Sequence, residues 1–182
     1  GSIAGEIGPA VAALEQFRPV PGRMEPVERG QPFRVIVDFA HTPAALEACL
    51  RELRQQADGR LIVVFGSAGE QDRVKRPMLG RVAAGLADRV VIADEDPRGE
   101  DPRVIADEIV EGGRGAKTTT PFDVVLDRRA AIRHALGLAR AGDTVALTGK
   151  GHESSIIYAD REEPWDERAV ALEELAAAGY DG

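Results

Sequence analysis

The chain is poor in aromatic residues and in cysteine, and it contains no long apolar run. Aromatic residues make up only 4% of the 182 residues, so aliphatic side chains and alanine must fill the interior. The single cysteine, Cys49, excludes an internal disulfide and fits a reducing compartment. No apolar stretch approaches the roughly 18 residues of a membrane-spanning helix. We therefore expect a cytoplasmic protein with no membrane insertion.

Several familiar binding and catalytic motifs are also missing. The net charge of −8 argues against broad nucleic-acid binding, which needs a basic face. Gly149-Lys150-Gly151 is not a phosphate loop, because Gly151 stands where Ser or Thr is required. The segment 66–69 lacks the spacing of a dinucleotide-binding loop, and we find no zinc motif or nucleophile elbow. The chain can hold a ligand, but it carries no complete catalytic set and no predicted metal site.

Short apolar runs alternate with amphipathic stretches from residue 33 onward. Strands are predicted over residues 33–37, 60–65, 89–93, 122–126 and 144–148. Helices are predicted to start at Pro43 and Pro77 and after Asp101, Asp127 and Asp166, with glycines at 112–113 and 142 as helix ends. This alternation predicts an α/β fold: a doubly wound, mostly parallel, Rossmann-like sheet of about six strands. Residues 156–158 follow the previous strand too closely for a crossover helix, which predicts one antiparallel strand there.

The first 20 residues have a different character. Gly1-Ser2 is typical of the pair left after removal of an affinity tag, and apolar residues then recur at helical spacing from Ile3 to Leu14. A rigid Pro19–Gly22 segment follows. We interpret residues 1–20 as a tag scar and the tail of a preceding domain, and residues 21–182 as the main domain.

Charged side chains follow the predicted strands at the point where each strand ends. Parallel strands bring such loops to one edge of the sheet, so we predict a ligand site there. Taken singly, each residue has a simpler structural explanation: His41 as a helix cap, or Arg73, Lys75 and Arg76 as a solvated cluster. The last three would otherwise form an anion site at the start of the helix predicted at Pro77. The loops concerned are 38–43, 66–76, 94–98 and 149–153.

Five of these segments, in this order, resemble the C-terminal domain of the Mur ligases. The likeness is closest to the MurE type, which adds the third residue of the peptidoglycan stem peptide. The segments are Gly22-Arg23-Met24-Glu25, Asp38-Phe39-Ala40-His41-Thr42-Pro43, Lys75-Arg76-Pro77, Asp96-Pro97-Arg98 and Gly149-Lys150-Gly151-His152-Glu153.

The resemblance implies an ATP-dependent ligase with three domains. The first domain would bind the UDP moiety, and the central domain would carry the phosphate loop, the magnesium ligands and a modified lysine. The third, present here, would contact ATP and the incoming amino acid. The whole enzyme would join a diamino acid to a UDP-N-acetylmuramoyl peptide through an acyl phosphate. ATP and Mg²⁺ would then be bound mostly by the missing central domain, and the isolated domain is expected to be inactive.

Site residues follow from the matched motifs. Arg23, Asp38 and His41 would lie at ATP. Arg98 would pair with a carboxylate of the amino acid and Glu153 with an ammonium group. The further amino-acid contacts implied are Gln71, Asp96 and Gly149, with Lys75, Arg76, Lys150 and His152 as supporting residues.

Two positions depart from the pattern of enzymes that add meso-diaminopimelate, which typically carry Arg in place of Gln71 and Asn in place of Asp96. The changes make the site less positive, which favours a cationic side chain such as that of lysine or ornithine. The retained Arg98 argues the other way. Two alternatives stay open: a Mur-like binding module without ligation, and a related ligase with another amino-acid substrate.

Overall fold

The computed structural model describes residues 20–116 and 118–182, so the predicted tail helix over residues 3–14 lies outside the described residues. The described strands are β1 (Glu25–Pro26), β2 (Arg34–Asp38), β3 (Leu61–Phe65), β4 (Arg89–Ile92), β5 (Phe122–Val124), β6 (Thr144–Thr148), β7 (Ser155–Ile157) and β8 (Glu162–Pro164). The helices are α1 (Pro43–Gln56), α2 (Lys75–Leu86), α3 (Pro102–Arg114), α4 (Arg128–Leu138) and α5 (Glu167–Ala177).

The main sheet has six strands in the order β1-β2-β6-β3-β4-β5. All neighbours except β1 and β2 pair in parallel. The buried strands β3 and β6 read as nearly continuous apolar runs, as expected where both faces of a sheet are covered. The mostly parallel α/β fold is confirmed.

The helices divide between the two faces of the sheet. One buried cluster joins α1, α2 and α3 to the sheet through residues such as Leu46, Leu79 and Ile109. The other joins α4 and α5 to the opposite face through residues such as Ile132 and Leu175. Alternating strand residues, for example Val63 and Val64, belong to opposite clusters. The sheet is therefore wound on both faces, and its strand ends are left free for a site.

The predicted antiparallel strand is assigned wrongly. Residues 155–157 form β7, which pairs with β8 in a separate two-stranded hairpin rather than with the main sheet. The antiparallel member of the sheet is β1, a two-residue strand just after the Pro19–Gly22 segment, where no strand was predicted. A strand this short carries no periodic pattern, so its pairing depends on the edge that β2 offers.

Most predicted helix starts are confirmed, whereas three boundaries are wrong. The side chains of Asp101, Asp127 and Asp166 each accept a hydrogen bond from a backbone N–H in the first turn of α3, α4 and α5. Helix α2 begins at Lys75 rather than at Pro77, because a proline in the first turn forfeits no intrahelical hydrogen bond. Residues 112–113 lie inside α3, and α4 ends at Leu138, before Gly142.

Among the described residues, no helix has both the length and the apolar character needed to cross a membrane.

Candidate functional site

The loops that follow β4 and β6 meet at the carboxyl edge of the sheet and enclose a pocket of about 350 Å³. The β7 strand of the hairpin supplies the remaining wall. The lining side chains are mostly polar: Asp96, Arg98, Lys150, His152, Glu153, Ser154, Ser155 and Ile157. Five of the site residues implied by the motifs therefore come together at this edge: Asp96, Arg98, Lys150, His152 and Glu153.

A buried lysine organises the acidic side of the pocket. Lys150 is only 1% exposed, and its Nζ lies 2.9 Å from Asp96 Oδ1 and 2.8 Å from Glu153 Oε2. Asp96 Oδ1 also accepts a hydrogen bond of 3.0 Å from the Ile157 backbone N–H. The charge of Asp96 is thus compensated within the protein, while Glu153, whose side chain is 38% exposed, faces the opening.

Arg98 provides the basic side of the pocket from a strained backbone position. Its φ of +53° is unusual for a residue with a side chain. Its backbone N–H donates a hydrogen bond to the Ile157 carbonyl at 2.9 Å, which joins the loop after β4 to the β7–β8 hairpin. Its Nε is buried and has no partner within the protein. Strain of this kind persists where the surroundings over-determine it, and it concentrates at binding sites.

Glu95 is a buried carboxylate that the motif comparison gave no role. Burial raises its pKa, an effect that the charges of Lys75, Arg128 and Lys150 oppose. Its Oε2 has no hydrogen-bond partner and lies where a side chain at Gly149 would begin, 2.7 Å from an added Cβ. A side chain at Gly149 would displace the Glu95 carboxylate, and the φ of +104° favours glycine on conformational grounds. In the sequence, the only indication of a role for Glu95 was its position just after the end of β4.

The residues assigned to ATP lie beside the pocket, around the ring of Phe39. The Arg23 guanidinium lies 4.7 Å from the ring centroid, and the rings of His41 and His152 lie 4.5 and 5.0 Å from it. Arg23 is exposed and accessible to an anion. Asp38 has a different environment, because its two oxygens accept hydrogen bonds from the backbone N–H groups of Met24 and Ala40.

The three site residues predicted in the segment after β3 lie in three different environments. Lys75 is 8% exposed, and its Nζ lies 3.3 Å from the His41 carbonyl, so it reaches the ATP side. Arg76 is fully enclosed by Glu100, Glu108 and the Ala68 carbonyl. It is thus unavailable to a ligand, and the anion site expected around it is wrong. Gln71 is exposed and does not line the pocket.

Arg128 is a residue that the sequence did not single out. Its side chain is fully buried and donates to the Asp94 carbonyl at 3.0 Å and to the Thr148 carbonyl at 2.8 Å. It also pairs with Glu167 at 2.6 Å. These carbonyls lie where β4 and β6 end, so one guanidinium fixes the starting points of both pocket loops. Only its place just after the Asp127 cap was visible in the sequence.

A larger cavity of about 500 Å³ lies at the opposite edge of the sheet, near the start of β2. Of the three acidic residues that line it, Glu28, Asp58 and Asp143, the last is paired with Arg60 at 2.6 Å. Neither Arg98 nor Lys150 lines it, and it contains none of the converging loops. The carboxyl-edge pocket is therefore the candidate site, because it combines a cation, an accessible carboxylate and strand-end loops.

Comparison with known proteins assigns the chain to a family. Residues 22–151 match the family model described as "Mur ligase, glutamate ligase domain", and the chain belongs to that family.

The chain spans about a third of the length of the relatives it matches. A "UDP-N-acetylmuramyl-tripeptide synthetase" from Roseiflexus sp. (strain RS-1) is 50% identical over 174 residues, which cover 94% of this chain and 34% of the relative. A "UDP-N-acetylmuramoyl-L-alanyl-D-glutamate--2,6-diaminopimelate ligase" from Syntrophomonas wolfei is 46% identical over 164 residues, covering 90% and 33%. A solved structure whose title gives the same diaminopimelate ligase name superposes with a TM-score of 0.77 at 30% identity, covering 92% and 34%.

Proposed function

We propose that this chain is the amino-acid-binding domain of a cytoplasmic, ATP-dependent, MurE-type ligase that joins a diamino acid to a UDP-N-acetylmuramoyl peptide. The observation that carries the proposal is the pocket in which Arg98 and Glu153 present opposite charges beside the buried Lys150. A free amino acid carries the same two charges. The names of two relatives, the tripeptide synthetase from Roseiflexus and the diaminopimelate ligase from Syntrophomonas wolfei, describe ligases of such peptides.

The pocket favours a diamino acid with a distal carboxylate over lysine or ornithine. Two acidic side chains, Asp96 and Glu153, face two basic ones, Lys150 and Arg98, so their formal charges cancel. A balanced pocket suits a zwitterionic end group, and the unpartnered Arg98 Nε needs an acceptor. The contact between Lys150 and Asp96 weakens the sequence-based argument for a cationic side chain, because it offsets the negative charge on which that argument depends.

The ATP side is supported by the cluster around Phe39. Arg23 and Lys75 can hold phosphate oxygens there, while Asp38 shapes the loop through its backbone hydrogen bonds. The nucleotide supplies the phosphoryl group that activates the peptide carboxylate. Residues 20–116 and 118–182 contain no cluster of three or more metal-ligating side chains. We assign the Mg²⁺ ligands to the central domain of the parent protein, as the family resemblance implies.

The test is amide formation by the full-length protein with ATP, Mg²⁺, the UDP-linked dipeptide and three amino acids: meso-diaminopimelate, lysine and ornithine. We expect diaminopimelate to be preferred. Arg98→Met should lower kcat/KM for diaminopimelate by about 100-fold, the loss of a charge-assisted bidentate contact. Arg51→Met, at an exposed position of α1 outside the pocket, is the matched control and should change little. Equal rates with lysine, or an Arg98→Met enzyme of unchanged preference, would contradict the assignment.

A further inference from the structure

The segment Val20–Glu25, which precedes β1, lies directly against the loop that carries Lys150 and Glu153. The backbone of Gly22 faces the backbone of Gly151 and His152. A Cβ added at Gly22 would lie 2.3 Å from the His152 nitrogen and 2.4 Å from the Gly151 carbonyl carbon. A Cβ added at Gly151 would lie 3.0 Å from the Gly22 oxygen. No side chain separates the two segments, so no change of rotamer can absorb a displacement of one relative to the other.

The same segment is fixed at several points. The Gly22 N–H donates to Glu25 Oε2 at 2.7 Å, and Glu25 Oε1 pairs with Arg168 of α5 at 3.1 Å. The Met24 N–H donates to Asp38 Oδ2 at 2.9 Å. Gly22 and Met24 both have positive φ, +67° and +46°. A left-handed methionine is rare, and it is retained where the surrounding contacts over-determine the backbone.

The loop on the other side of this contact is short and tightly turned. The Glu153 N–H donates to the Lys150 carbonyl at 2.9 Å, and both side chains line the pocket. A shift of the Gly151–His152 backbone therefore moves the ammonium of Lys150 and the carboxylate of Glu153 together. Asp96 follows, because it is hydrogen-bonded to Lys150.

We propose that the segment Val20–Glu25 sets the position of the pocket loop, and that Gly22 is a positioning residue for the amino-acid site. The inference rests on the proposed function of that pocket. Its consequence is that a displacement of the segment Val20–Glu25 changes the affinity for the amino acid, although only the pocket loop would touch the substrate.

The test compares two glycines of similar backbone conformation in the full-length enzyme. Gly22→Ala should raise the KM for the diamino acid by about tenfold or more, because small misplacements of binding groups are expensive. Gly30→Ala is the control: its φ is +75°, and the nearest atom to its added Cβ lies at 3.4 Å. It places an alanine in the same left-handed region without the backbone collision, and it should leave that KM within about twofold of the wild type.

Equal effects of Gly22→Ala and Gly30→Ala, or an unchanged KM in Gly22→Ala, would overturn the inference. Glu25→Ala is the second variant, used if Gly22→Ala does not fold. It releases the segment without adding an atom and should raise the same KM with a smaller change in kcat; an unchanged KM would again contradict us.

A wild-type enzyme that ligates no diamino acid would instead refute the proposed function. The positioning claim is then tested separately by the amide chemical shifts of residues 149–153 in this chain. Gly22→Ala should move them and Gly30→Ala should not, and the opposite result would refute the positioning claim.

Discussion

Arg128 and Glu167 form an ion pair from which solvent is excluded, since both side chains are 0% exposed. Glu167 also accepts a hydrogen bond from Trp165 Nε1 at 2.6 Å. A charge removed from such a pair leaves its partner buried and uncompensated. Arg128 additionally satisfies two strand-end carbonyls, so its loss affects the pocket loops as well as stability.

Arg128→Met should lower the free energy of unfolding by about 3–5 kcal/mol, as found when one partner of a buried pair is removed. The double variant Arg128→Met, Glu167→Leu should recover part of this loss, because neither member of the pair is then left as a buried charge without its partner. Urea denaturation of the 182-residue chain measures both. Arg161→Met, in an exposed ion pair, is the control and should cost less than about 1 kcal/mol. Equal losses at Arg161 and Arg128 would show that burial does not decide the outcome.

Asp94 lies beside this pair, and its raised pKa leads us to expect that the stability of the fold depends on pH. Burial, opposed by Arg128 and reinforced by Asp127, raises the pKa of Asp94 from 3.8 to about 6. The folded state therefore binds this proton more tightly than the unfolded state does. Its contribution to stability is complete below the unfolded pKa and is lost as the pH rises through the folded pKa of about 6.

Asp94→Asn resembles the protonated side chain at every pH. The stability of the variant relative to the wild type should therefore increase between about pH 4 and pH 7, with most of the change complete just above the folded pKa. Denaturant titrations at intervals of one pH unit measure this difference. Asp181→Asn, at a side chain that is 85% exposed, should leave the wild-type pH profile in place. A constant difference between Asp94→Asn and the wild type would contradict the assignment.

Helices α2 and α3 pack more closely than side chains normally allow. A Cβ at Gly80 would lie 1.8 Å from the Ile109 carbonyl oxygen, and one at Gly112 would lie 2.1 Å from the Pro77 oxygen. The prediction that α3 ends at Gly112-Gly113 was wrong, and the contact at Gly112 gives the reason: glycine is needed there for the close approach of α2. Glycine is a poor helix former, but at this crossing the helices can approach only where a Cβ is missing.

Gly80→Ala should destabilise the chain by about 1–3 kcal/mol through overpacking at this crossing. Gly85→Ala, in the same helix, meets nothing within 4 Å. It should stabilise the chain by about 0.5–1 kcal/mol, because alanine restricts the unfolded backbone and favours the helix. Thermal or urea unfolding distinguishes the opposite signs. Stabilisation by both variants would mean that helix propensity, and not packing, governs both sites, and destabilisation by both would contradict the expectation for Gly85.

In the function that we propose, the chain supplies amino-acid contacts and part of an ATP site, and its sequence contains no phosphate loop. We expect the 182-residue chain by itself to release no phosphate from ATP above background, since the groups that hold and activate the nucleotide are assigned to another domain. A phosphate-release assay with and without the UDP-linked peptide tests this. Adding the remaining domains as the full-length protein should restore turnover. Measurable turnover by this chain alone would contradict the division of labour that we propose.

The succession of strands and helices, the aspartate caps and the strand-end loops could all be predicted from the sequence. They depend on apolar periodicity and on turn residues, which act over a few positions of the chain. That the motifs at 38–43, 96–98 and 149–153 lie near one another could also be predicted, because parallel strands bring their carboxyl ends to one edge of the sheet. The pairing of β1 and the separate β7–β8 hairpin could not be predicted from the sequence, because strands this short are defined by the strands they pair with.

The role of each charge was settled by tertiary contacts. Asp96 reads in the sequence as a negative charge beside the substrate, yet it is bonded to Lys150, 54 residues away. Arg76 reads as an anion ligand and is enclosed by Glu100 and Glu108. A charge takes its energy from the groups within a few ångströms of it, and for buried side chains those groups come from distant parts of the chain. The sequence was therefore enough to predict the edge of the sheet at which the candidate site lies. Tertiary contacts decided which charges at that edge remain available to a ligand.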